Sequence, residues 1–436
     1  MISRARTTAV AIALALTAGA AVTTAQASQG GHGTGNSVEN KKAAAAWTAA
    51  WAASPQRPST GFKANWSENG FDDQTVRQVV RVTEGGDRAR IRLSNAYGAS
   101  PLHIASATVA RTEGTKGAGV EKGSVRRLTF GGKTSATVPA GGALASDEAG
   151  LDLDRFESVT VTLHLARTTG PATFHAQSFA TSYRAAGNHV GDTGAGAFKE
   201  STESWYYLSG VDVRSDKGGQ GRAPRRDGIV LFGDSITDGF ASSTDRNRRW
   251  SDALAERLAK AGTPRPVLNS GIGGNLVLND SAWYGDKGTN RIGRDVLDQP
   301  GAGTVVVLEG LNDIGFSESD TPTYKPAPVI SADQLIAGHR KLIRAAHDKG
   351  LKAVGGTLLP LGGSDHYGKH AAAVSDAFNK WVRTSGEYDS YIDFDKALAD
   401  PKDPERIRPA YDSGDHLHPN DAGYRAMARA ADLNSL

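Results

Sequence analysis

Two runs of four consecutive apolar residues, Ile229-Val230-Leu231-Phe232 and Val305-Val306-Val307-Leu308, constrain the fold of this chain most strongly. A strand with one wet face alternates apolar and polar residues. A run without alternation fits a strand covered on both faces, as at the centre of a parallel sheet. Helical stretches such as Trp250 to Lys260 lie between the runs. The clearest helix starts at Ser331, where Leu335, Ile336, His339, Leu342 and Ile343 repeat at steps of three and four. Ser331 is its N-cap and Gly350 closes it. Strand then helix recurs about five times before the chain ends, which predicts an α/β domain with a parallel sheet and right-handed crossovers.

The first half has a different texture. Val159, Val161, Leu163 and Leu165 alternate with Thr160, Thr162 and His164, the period of a half-buried strand. Ala89, Ile91 and Leu93 alternate with Arg88, Arg90 and Arg92, which puts three arginines on one face. Gly85-Gly86, Gly131-Gly132 and Gly141-Gly142 punctuate these runs as turns do. Short strands with glycine turns predict a β-sandwich over residues 46–213. Residues 214–227 hold Gly218-Gly219, Gly221 and Pro224 and read as a linker to the α/β domain at 228–436. Arg222, Arg225 and Arg226 make the densest basic cluster, and a solvated linker explains them. With 50 basic against 47 acidic residues, the net charge of +3 offers no concentrated basic face, so nucleic acid is not an expected partner.

Residues 1–27 read as a secretory signal. Arg4 and Arg6 form a positive start, Thr8 to Val22 an apolar run, and Ala25-Gln26-Ala27 a small-residue cleavage site. The run is shorter than the ~18 residues of a membrane span, so stable membrane insertion is not expected. Residues 28–45, rich in Gly, Ser, Asn and Lys, read as a flexible lead. The expected location is therefore extracellular. With no cysteine, the chain has no disulfide, thiolate nucleophile or thiolate metal site available to it.

In open α/β sheets, ligand sites form beyond the carboxyl ends of the strands. The first apolar run leads into Gly233-Asp234-Ser235-Ile236-Thr237-Asp238-Gly239. Further on come Asn269-Ser270-Gly271-Ile272-Gly273-Gly274-Asn275, then Glu309-Gly310-Leu311-Asn312-Asp313, and last Asp415-His416-Leu417-His418-Pro419. Each alone has an ordinary structural reading: Ser235 or Asn312 as a helix cap, the glycines as a turn. Their joint occurrence at strand ends is the signal. His339, His347, His366 and His370 show no metal-ligand spacing and read as surface or structural, as do Asp393 and Asp395 on a late strand. No acidic pair stands out as a glycosidase would need.

In this order and spacing the four segments resemble blocks I, II, III and V of the SGNH (GDSL-type) hydrolases, over Asp227 to Leu436. The resemblance implies a flavodoxin-like three-layer domain with a parallel sheet, preceded here by a jelly-roll-like β-sandwich. It implies a serine esterase in which Ser235 is the nucleophile, His418 its base and Asp415 the group that orients the base. The oxyanion donors would be the Ser235 N–H, the Gly274 N–H and the Asn312 amide. No metal and no organic cofactor is expected. His416 is the rival base, but Leu follows it where the block has Pro-Asn. The serine sits on GDS near the domain start, not on a G-x-S-x-G elbow, which disfavours the α/β-hydrolase fold.

The two-part layout resembles secreted acetyl-xylan and aryl esterases. The expected substrate is a small-acyl ester, with acetylated polysaccharide as the candidate polymer. A lipase or phospholipase of the same family, or an inactive polysaccharide-binding protein, are the alternatives. Trp205, Tyr206 and Tyr207 are candidates for stacking on sugar, against the ordinary reading as buried core.

Overall fold

The computed structural model describes residues 46–216 and 226–436. The expected signal and lead, and Arg222 and Arg225 of the expected linker, lie outside these residues.

The first half is built from antiparallel strands in two main sheets. One runs Thr48–Ala52, Leu208–Arg214, Gly86–Ser94, Ala143–Ala145, with Ala149–Leu153 also paired to Gly86–Ser94. The other runs Glu200–Thr202, Ser182–Ala186, Gln74–Arg81, Ser158–Leu165, Ser106–Arg111, Arg126–Arg127. Ile91, Leu93, Val76, Val80, Val159 and Leu163 share one apolar core with residues from both sheets. The alternation puts Arg90 and Arg92 on the opposite face. There they converge on the fully buried Asp212 carboxylate at 2.9 and 3.0 Å. The strand Ser158–Leu165 is buried along its whole length, where alternation predicts one wet face. The outer face is covered because the Arg77 guanidinium crosses it and ties down the loops above. It donates to the carbonyls of Ala118 and Asp192, each at 2.6 Å, and to the Thr162 hydroxyl at 3.2 Å.

The second half centres on a five-stranded parallel sheet. Its order is Val267–Gly271, Gly228–Gly233, Ala302–Leu308, Lys352–Gly356, Ser390–Ile392. The predicted helix is present as Ala332–Asp348. Ser331 caps it by accepting from the Gln334 N–H, and Gln334 returns a bond to the Ser331 N–H. Helices Trp250–Lys260, Lys369–Thr384 and Asp421–Ala430 supply further cover. Both uninterrupted apolar runs lie in central strands, and all four residues of each run are buried. The chain winds from Gly228–Gly233 to one neighbour and then crosses to the other side. Beyond the carboxyl ends at that reversal lies the place where such sheets take ligands.

The two halves share packing. Ala49 and Ala52 of the first strand belong to the apolar core of the parallel sheet. The Thr83 hydroxyl donates to the Val267 carbonyl and accepts the Val267 N–H, both at 3.0 Å. The parallel sheet's edge strand is thus covered by the β-rich half, as an exposed edge must be.

Candidate active site

Ser235 opens a single helical turn, Ser235–Asp238, directly after the strand Gly228–Gly233. The Asp234 side chain caps that turn, its Oδ1 accepting the Ile236 N–H at 3.0 Å. Ser235 itself occupies the first helical position, whose N–H has no partner within a helix. Ser235 Oγ lies 2.7 Å from His418 Nε2. His418 Nδ1 lies 2.7 Å from Asp415 Oδ2. The other Asp415 oxygen accepts the N–H groups of His418 and Leu417 at 2.8 and 3.0 Å and the Ser413 hydroxyl at 3.0 Å. Burial opposes the charge on Asp415, but these bonds, the His418 ring first, hold its carboxyl well below the usual carboxylate range. Asp415 is therefore a carboxylate and His418 Nδ1–H donates to it. That leaves Nε2 to accept from the serine.

The short segment is rigid for local reasons. Asn420 caps the helix Asp421–Ala430, accepting from Ala422 and Gly423, and its amide donates to the Asp412 carbonyl at 2.9 Å. The Phe240 ring packs against the imidazole of His418 at 4.3 Å. His416 points elsewhere. Its backbone is left-handed, at φ 62°, and its ring bonds the Asp412 carboxylate at 2.6 Å.

The second segment ends in a tight turn, Ile272-Gly273-Gly274-Asn275, closed by the Asn275 N–H on the Ile272 carbonyl at 3.1 Å. Gly274 has φ +72°, and a methyl group there would run into the Tyr284 ring. Only glycine fits on both counts. Among the described residues neither the Ser235 N–H nor the Gly274 N–H is engaged in a hydrogen bond. The Asn312 amide donates to the Asn275 carbonyl at 2.9 Å, tying the third segment to this turn. Asp313 holds the chain just beyond the turn, accepting the N–H groups of Val277 and Leu278 at 2.8 and 3.0 Å.

Three contributors carry no motif in the sequence. Arg291 is fully buried beneath the site and joins its parts. It donates to Asn275 Oδ1 at 2.7 Å and to the Ser270 and Gly233 carbonyls at 2.8 Å, and it pairs with Asp295 and Glu309 at 3.3 Å. Asp295 is held by Arg294 as well, at 2.6 Å, so removing Arg291 would strand the buried Glu309 in particular, at a cost of about 3–5 kcal/mol. The Arg291 charge also acts on the buried Asp234, opposing the rise that burial causes there. Burial pushes Asp234 up to about 8 and Asp313 up to about 7. Of the surface and structural readings of His366, the structural one fits its place. Its Nε2 stands 3.2 Å from Asn312 Oδ1, which directs the Asn312 NH2 away from it. Burial, with the nearby His418 adding to it, lowers His366 to about 4, so the ring is neutral near pH 7. The third is His175, from the β-rich half, bonded to Asp238 of the Ser235 turn at 3.0 Å. Trp205, Tyr206 and Tyr207 are all buried and offer no free face to a sugar.

Residues 231–426 match the model of the GDSL-like lipase/acylhydrolase family. The chain carries a GDSL-like acylhydrolase domain. It is a hydrolase that cleaves esters. No curated protein matches the chain. Among solved structures, a lipolytic protein of the G-D-S-L family from Desulfitobacterium hafniense is 18% identical, covering 48% of this chain and 99% of its own, with a TM-score of 0.37. A lipase/acylhydrolase from Enterococcus faecalis is 19% identical, over 47% of this chain and 92% of its own, TM-score 0.37. An acetylxylan esterase from Geobacillus stearothermophilus is 22% identical, over 47% of this chain and 92% of its own, TM-score 0.37. Among the described residues, no helix beside the GDSL-like domain or within it is long and apolar enough to cross a membrane. No three His, Asp or Glu side chains among them are grouped to hold a metal ion.

Proposed function

We propose that the protein is a secreted serine esterase that removes small acyl groups, acetyl groups on polysaccharide foremost. Ser235 attacks the ester carbonyl while His418 takes its proton. Asp415 holds the imidazole in the tautomer that can accept that proton and stabilises the imidazolium that forms. The tetrahedral oxyanion lies among the Ser235 N–H, the Gly274 N–H and the Asn312 amide. His418 then protonates the leaving alcohol, giving an acyl-enzyme. Water attacks the acyl carbonyl with His418 again taking a proton, and His418 returns that proton to Ser235 Oγ as the acid leaves.

The observation that carries this reading is the chain of two 2.7 Å contacts, Ser235 to His418 and His418 to Asp415. Two unengaged N–H groups and an amide on adjoining strand ends support the oxyanion assignment. The strand order, with the first strand second in the sheet, supports a flavodoxin-like SGNH domain. Two antiparallel sheets around one core support the jelly-roll-like sandwich. Phe62 and Gln177 of that half lie against Gly273, so both halves wall the site. The substrate class rests on the likeness of the two-part layout to acetyl-xylan and aryl esterases, and the location on the amino-terminal sequence.

Rates on p-nitrophenyl esters of two to sixteen carbons, run beside release of acetate from acetylated xylan, test the reading. The proposal expects the highest kcat/KM at two to four carbons and measurable acetate release. A maximum at long chains would replace it with a lipase.

A further inference from the structure

His175 lies on the short strand Phe174–His175 of the β-rich half, yet its ring is buried against the turn that carries Ser235. Both ring nitrogens face groups that accept. Nδ1 is 3.0 Å from the Ser54 carbonyl and Nε2 is 3.0 Å from Asp238 Oδ1. A carbonyl has no proton to give, and neither has a carboxylate. Toward a carboxylate and a carbonyl, a ring carrying both protons satisfies both contacts, as an imidazolium does. Burial works against that charge, and Asp238 overcomes it, so His175 is raised above its ordinary value. The ring also stacks on Trp205 at 5.4 Å, and Trp205 is held by its own bond to the Val79 carbonyl.

The second oxygen of Asp238 does not stay within its own helical turn. It accepts the Gly273 N–H at 3.1 Å. Gly273 and Gly274 are adjacent and neither has a Cβ, so this stretch of chain is the most conformationally free in the site. Its direction is set by what holds its N–H and carbonyl groups. Close approach adds to this. A methyl at Gly271 would meet the backbone of Thr237 and Asp238, so the strand end and the Ser235 turn already touch there.

We propose that His175 is a positioning residue for the reaction, holding Asp238 so that Asp238 holds Gly273 and thereby aims the Gly274 N–H at the oxyanion. This rests on the reading in which Gly274 is an oxyanion donor. The β-rich half is then part of the catalytic apparatus, because one of its side chains fixes a donor that acts in the transition state. A donor held in place by preorganisation lowers the barrier without tightening substrate binding. Loss of His175 therefore lowers kcat and spares KM.

His175→Phe keeps an aromatic ring against Trp205 and removes both donors. The expected result is a folded protein with kcat on p-nitrophenyl acetate down by about 10- to 100-fold, below the loss of a whole donor, and KM within about twofold. His175→Gln, which returns one donor toward Asp238, should recover part of kcat. Asp238→Ala should lose as much, and the double variant no more than either alone, as expected of residues acting through one contact. If His175→Phe does not fold, Asp238→Ala and the glutamine variant carry the same comparison. Unchanged kcat in the folded His175→Phe protein, a change in KM alone, or additive losses in the double variant would overturn the proposal. Phosphonate labelling of Ser235 in each variant separates this failure from failure of the nucleophile assignment, since labelling persists where only Gly274 is mis-aimed.

Discussion

The β-rich half and the α/β half bury similar kinds of residues but reveal their roles in opposite ways. In the α/β half, chemistry is written where the fold must place it. Uninterrupted apolar runs make central strands, and the residues after each run lie at a carboxyl end by construction. Ser235, the Gly273-Gly274 turn and Asn312 are local consequences of three strands ending. In the β-rich half, period two describes the sheets well, yet His175 sits in a two-residue strand with no pattern around it. Its partner is 63 positions away. Motif carries information along the chain, whereas packing between halves carries none that a single sequence exposes.

Three experiments sharpen this contrast, from the largest expected effect downward. Ser235→Ala should leave a folded protein with esterase activity down by several orders of magnitude, and His418→Ala should match it, because members of such a unit fail together. His416→Ala should lose little, since its ring is turned to Asp412. Steady-state rates with a circular dichroism control decide this. A larger loss at His416 would break the reading of that segment.

Next comes removal of the β-rich half. A polar stretch at residues 214–227 suggests two independent domains, but Ala49, Ala52 and Thr83 cover the edge of the parallel sheet. A fragment starting at Asp227 exposes that edge and loses His175. It should aggregate or, if soluble, turn over p-nitrophenyl acetate at least about 10-fold more slowly than the full chain. Gel filtration and kcat measure both. A monomeric fragment with full kcat would restore the picture of a self-sufficient catalytic domain.

The smallest effect concerns stability against pH. His175 is raised above the ordinary value of 6.5, so its pairing with Asp238 contributes in full below that value and is lost as pH rises through the raised one. The gap in Tm between wild type and His175→Phe should therefore narrow as pH is raised past neutrality. A gap that stays constant up to about pH 10 would mean that the ring's charge contributes nothing.

The architecture is largely legible in the sequence, because period and turn residues report burial directly. Ser331 as a helix cap and the buried face of Gly86–Ser94 are examples. The full burial of Ser158–Leu165 is not, because threonine reads as a wet position and nothing local announces that Arg77 will fasten loops across it. The four candidate segments are legible in the sequence as residue types, and the structure brings Ser235, His418 and Asp415 into contact. His366 reads as a bystander in the sequence. A histidine in a loop has no period, and only the fold shows that it faces the Asn312 carbonyl. Arg291 is silent for a related reason, since a lone arginine on a short helix reads as solvent-facing until its buried partners are seen.

In the proposed reaction one serine, activated by one histidine, performs the chemistry. Its most direct test is intact-mass and peptide analysis after reaction with a p-nitrophenyl alkylphosphonate. One adduct per chain should form, on Ser235, in step with loss of activity and far more slowly in His418→Ala. An adduct on another serine, or inactivation with Ser235 unmodified, would contradict it.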